Sequence, residues 1–158
     1  MNSLFSRAAV AGLLMGASLF ASAADALKSQ EPPTGAKVFI VSPADGATVE
    51  KTFTVKFGIE GMELKPAGDQ TPHSGHHHLL VDVDKEPVKD MPLPTSLMPE
   101  NNAPLPAGPQ VLHFGKAQTE ATITLTPGKH TLQLVLGDQY HVPFKPGVES
   151  QKITVTVK

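Results

Sequence analysis

Apolar and polar side chains alternate with a period of two along most of this chain, and that period belongs to a strand with one buried face. It is clearest from Thr52, where Phe53, Val55, Phe57 and Ile59 alternate with Thr54, Lys56, Gly58 and Glu60. Ahead of it, residues 37–41 form a short β-branched run closed by SPADG (residues 42–46), where Pro and Asp-Gly supply a turn. Further strands are expected at 76–83 and 111–114. Another covers 119–125, where Ala121, Ile123 and Leu125 alternate with Glu120, Thr122 and Thr124. The next, 130–137, places Leu132, Leu134 and Leu136 on one face, and the last, 153–158, carries Ile153, Val155 and Val157. The segment Thr126-Pro127-Gly128-Lys129 has the Pro-Gly signature of a type II turn and predicts a hairpin between the fifth and sixth strands. Strands at regular spacing, abundant turn signals and no amphipathic helical period predict an all-β fold. The expected form is an immunoglobulin-like antiparallel β-sandwich of about seven strands.

One of these strands carries chemistry. In PHSGHHHLLVDVD (residues 72–84) three consecutive histidines run into the alternation. His76 and His78 therefore share a face, about 6.6 Å apart along the strand, while His77 points the other way with Leu79, Val81 and Val83. Since Leu80, Asp82 and Asp84 follow His76 and His78 in parity, that pair is expected on the polar, solvent-accessible side. His77 is expected in the core. Two parallel imidazoles form a chelate, and neutral imidazole is the commonest nitrogen ligand for Zn, Cu and Ni. His113, from a strand able to lie beside this one, and His141, in the loop GDQYHVPFKPG (residues 137–147), are candidates to complete a site. His73, in the turn before the pair, is a further candidate. His130 shares the face of the core leucines and is expected to be structural.

The ends and the middle of the chain define its organisation. Residues 1–23 carry one charge, Arg7, an apolar run too short for a membrane-spanning helix, and a closing Ala-Ser-Ala, which together predict a secretory signal peptide cleaved before Ala24. Residues 24–36 have no period and read as a flexible lead-in to a domain spanning 37–158. Seven of the 15 prolines fall in residues 87–109, a loop expected to border the site. Met91 and Met98 within it are soft donors for Cu(I), though methionine in such a loop ordinarily packs. The chain has no cysteine, which excludes thiolate sites, disulfides and cysteine nucleophiles. A formal net charge of −2 gives no support to binding of nucleic acid or anionic membrane. Export without disulfides fits a bacterial periplasm, or secretion, with no stable membrane insertion after cleavage.

Four segments, GHHHLLVD (75–82), HFGKAQTE (113–120), LTPGKHTLQLVLGD (125–138) and ESQKITVTV (149–157), resemble the exported bacterial family known as domain of unknown function 4399. The resemblance implies a small secreted β domain whose motif positions here are His76, His78, His113 and His141. It implies no ligand and no activity.

Three function classes follow from the histidines. The first is a periplasmic transition-metal binding protein without enzymatic activity, taking a divalent ion on His76, His78, His113, His141 and His73; with no thiolate, Cu(II) is favoured over Zn(II) in the Irving–Williams order. The second is a non-catalytic interaction module of the envelope, whose contact with a protein partner or cell-envelope polymer is tuned by histidine titration near ~6.5. The third is an enzyme: His-x-His on a strand followed by single distant histidines resembles the ligand pattern of copper/zinc superoxide dismutases, which are also β-sandwiches. Those enzymes use a bridging histidine, a carboxylate on a second metal and a disulfide, so no residue roles transfer. Ser74 beside His73 and His76 lacks a nucleophile elbow and reads as a polar turn residue.

Overall fold

The computed structural model describes residues 28–83, 104–105 and 107–158. The predicted signal peptide, the first residues of the lead-in, Asp84 and most of the proline-rich loop, including Met91 and Met98, lie outside the described residues.

Nine strands and no helix are found among them: β1 (Lys37–Ser42), β2 (Thr48–Val49), β3 (Thr52–Glu60), β4 (Glu63–Leu64), β5 (Ser74–Val81), β6 (Val111–His113), β7 (Glu120–Thr124), β8 (Gly128–Gly137) and β9 (Ile153–Val157). Seven are the expected strands; β2 and β4 are two-residue additions that the period cannot reveal. They form a three-stranded sheet, β1-β3-β7, and a six-stranded sheet, β2-β9-β8-β5-β4, with β6 also paired to β5. The orders β1-β3-β7 and β9-β8-β5-β6 are the A-B-E and G-F-C-C′ arrangements of an immunoglobulin-like sandwich. The long pairings are antiparallel, and only the short β2·β9 and β4·β5 contacts are parallel.

The alternation explains the packing. Val38, Val55, Phe57 and Ile123 from one sheet meet Leu79, Val81, Leu132, Leu134, Leu136 and Val155 from the other. Each fully buried side chain of this kind contributes about 1.5–3 kcal/mol relative to exposure. On the outer face of the first sheet, threonines pair across strands, Thr52 with Thr124 at 2.9 Å and Thr54 with Thr122 at 3.1 Å.

Two expectations are corrected. The Pro127-Gly128 turn does not close a hairpin, because β7 pairs with β3 while β8 pairs with β5 and β9. The turn instead carries the chain from one sheet to the other, since the apolar faces of β7 and β8 must oppose each other across the core. Val83 also departs from strand parity. Asp82 adopts a left-handed φ of 54°, the strand ends at Val81, and Val83 turns to join Leu80, Leu105, Val111 and Val135 in a second cluster on the outer face of β5.

Candidate metal centre

The outer face of β5 is where four histidines meet. His76 and His78 project from it two residues apart. β6 pairs antiparallel with the same strand and sets His113 directly opposite His78, which places both side chains on one face. On the other edge β8 sets Gly137 opposite His76, and the loop after Gly137 folds back to bring in His141. The ligand atoms of His76, His78, His113 and His141 all lie within 4.8 Å of one another. His76 Nε2 and His141 Nδ1 are 2.9 Å apart, so one ring donates to the other. Centroid separations run from 4.6 Å for His113–His141 to 5.8 Å for His78–His141.

Burial contradicts the expectation that His76 and His78 face solvent. They are 0% and 1% exposed. His76 and His78 do lie on the face opposite His77, but that outer face carries the second apolar cluster and lies beneath the His141 loop, so both faces of β5 are buried and neither is a polar side. His113 is exposed and His141 half-buried, which makes them the rim of the four-histidine pocket. His77 points into the core as expected, with its ring 5.2 Å from that of Phe57.

Burial fixes the charge state. It pushes the His76 imidazole down to about 3, helped by repulsion from His141, His113 and His77. His78 is held well below its ordinary value by burial and then by His76, His113 and His141. Burial and His141 lower His113 as well. Neutral imidazole is the form that binds metal. In the buried pair, His76 Nδ1 and both nitrogens of His78 have no hydrogen-bond partner. An unpaired buried polar atom costs about 1–3 kcal/mol, so the buried pair carries polar atoms that no group of the protein satisfies, and the four rings could hold a metal ion. His77 also has two unpaired nitrogens, but it faces the opposite side, and burial pushes it down to about 4.

Three supports escaped the reading of the sequence. A side chain at Gly137 would come within 2.8 Å of His78 Cε1 and 3.2 Å of the His141 backbone, so only glycine lets the ring and the loop approach. A side chain at Gly115 would strike the His113 ring. Asp138, fully buried, accepts the amides of Tyr140 at 2.8 Å and Val142 at 2.9 Å. The His141 amide donates to the Asp138 carbonyl at 2.9 Å, and the His141 carbonyl accepts from Leu105 at 2.7 Å. Glycine within or ending a strand signals close approach and was the available clue; nothing local identified Asp138.

His73 is not part of the group. It is exposed, has a left-handed φ of 55°, and lines an open hollow with Pro33, Met62, Glu63 and Pro72. His130 is structural: Nδ1 lies 2.6 Å from Asp82 Oδ2 and Nε2 2.8 Å from the Thr126 carbonyl.

A β-sandwich with a four-histidine pocket on one sheet is the class of protein that fold and site define. A model of the family Domain of unknown function (DUF4399) matches residues 55–158, and the chain belongs to that family. No curated protein and no solved structure matches it significantly.

Proposed function

We propose that this protein is a transition-metal binding protein of the bacterial cell envelope, holding one divalent ion on His76, His78, His113 and His141. The observation that carries the reading is the convergence of four imidazoles with unpartnered, neutral nitrogens on the buried pair. Bonds of ~2.0 Å require nitrogens about 3.3 Å apart in a tetrahedron, or about 2.8 and 4.0 Å apart in a square. Small ring movements bring the group into either range. An all-nitrogen donor set with no thiolate favours Cu(II), then Zn(II). The exposed rim at His113 gives an ion, or an envelope protein delivering it, a route in. The leader expected at residues 1–23 supports a location in the periplasm or outside the cell.

Two measurements test this. Elemental analysis of untagged protein purified from its native envelope should find about one copper or zinc per chain. Calorimetric titration of the metal-free protein should show sub-micromolar binding that fails when His76 and His78 are both replaced by Ala. Binding no tighter than micromolar, or affinity indifferent to that double replacement, refutes the reading.

A further inference from the structure

We propose that Gln30, in the segment before the first strand, is a positioning residue for His141; its consequence for metal release rests on the metal-binding reading, its effect on the loop does not. Residues expected to be a loose lead-in are tied along the loop that follows β8. Ser29 Oγ donates to the Pro143 carbonyl at 2.5 Å and the Lys145 amide donates to the Gln30 carbonyl at 2.8 Å. Gln30 Nε2 donates to Asp138 Oδ2 at 3.1 Å and to Gln139 Oε1 at 3.0 Å.

The division of labour at Asp138 makes this specific. Its Oδ1 holds the amides on either side of His141, and its Oδ2 takes the Gln30 amide. Gln30 thus fixes the rotamer of the carboxylate that shapes the loop. His141 needs such external support, because its φ of 67° is a left-handed conformation that a residue with a side chain seldom adopts unaided. Hydrogen bonds to an ionised carboxylate are also stronger than those between neutral groups. Gln30 lies outside residues 55–158, so the support for one ligand comes from a segment that the family match does not include.

The test uses the mature chain with Gln30→Ala, Gln30→Glu and Gln30→Arg. Amide hydrogen exchange at Tyr140 and Val142 in the metal-free protein reads the loop, exchange at Leu134 in β8 reads global stability, and Cu(II) release to a chelator reads the site. Gln30→Ala should speed loop exchange and copper release about tenfold while Leu134 is unchanged. Gln30→Glu, which sets a carboxylate against Asp138, should exceed it, and Gln30→Arg should restore both rates to within about twofold. Unchanged loop exchange in the Ala and Glu variants, Arg behaving like Ala, or acceleration that includes Leu134 would overturn the proposal. If the unaltered protein holds no copper, the metal-binding reading falls, and loop exchange still decides the role of Gln30.

Discussion

Three of the pocket histidines, His76, His78 and His113, share one sheet with His130, yet their environments are opposite. His130 has an acceptor at each ring nitrogen, the Asp82 carboxylate and the Thr126 carbonyl. The Asp82 hydrogen bond, aided by the Thr126 carbonyl and the carboxylate's charge, outweighs burial and raises its pKa. His130 is therefore suited to be an imidazolium, with both N–H groups donating and no lone pair for a metal. His76 and His78 have neighbours that are other imidazoles, unpartnered nitrogens and a lowered pKa. The contrast teaches that the partners of the ring nitrogens, more than the density of histidines in the sequence, separate a ligand from a structural residue.

Replacements should expose that contrast most strongly in affinity. The double variant His76→Ala, His78→Ala should lose about a thousandfold or more in Cu(II) affinity by calorimetry, whereas His130→Ala should stay within about twofold. Equal losses would erase the distinction. Saturation is next in size: an ion at a thousand times its dissociation constant stabilises the fold by about 4 kcal/mol. Thermal unfolding should show this in the unaltered protein, a chelator should reverse it, and the double variant should lack it. Gly137→Val should cost about 2–3 kcal/mol in urea unfolding by forcing the His78 ring and the His141 loop apart, and should weaken copper binding as well.

The pH dependence sharpens the comparison through its sign. Burial holds His76, His78 and His113 below their ordinary value in the fold, so the unfolded chain takes up protons first as pH falls below ~6.5. Their contribution is intact above that value and is lost as pH falls toward about 3, the lowered value of His76. His130 runs the other way, because its raised pKa makes its contribution full below ~6.5 and lost as pH rises through the folded value. Metal-free protein followed by thermal unfolding should lose stability on the acid side, and His130→Ala should remove only the alkaline-side loss. The smallest effect is expected for Asp82→Asn. It should cost about 1 kcal/mol or less near pH 6, since the carboxylate is partly exposed and screened, and should leave copper affinity unchanged.

Much of the fold was legible because strand formation is governed by a local period. Residues 52–60 show one face of a β-sheet in their order alone, and the parity of 76–81 correctly separated His77 from His76 and His78. The failures occurred where local order says nothing about the next layer. Thr126-Pro127-Gly128 has the composition of a hairpin turn, but the demand that β7 and β8 present their apolar faces to each other made it a crossover between sheets. His73 is close to the pair in sequence and outside the group in space, because the turn at residues 72–73 points it to an open surface.

The sequence by itself determined the all-β class, the seven principal strands, and the two-residue spacing that sets His76 beside His78. It also determined that thiolates play no part, since there is no cysteine. Only the tertiary structure decided that the pair is buried, that His113 lies opposite His78, and that His141, 65 residues beyond His76, closes the pocket. The physical reason is that side-chain direction within a strand is set by neighbouring residues, whereas burial is set by whatever covers that face. Here the cover is an apolar cluster that brings Leu105, Val111 and Val135 onto the face beside Leu80, and a loop shaped by Asp138; apart from Leu80 and Val83, these come from segments distant from β5 in the chain.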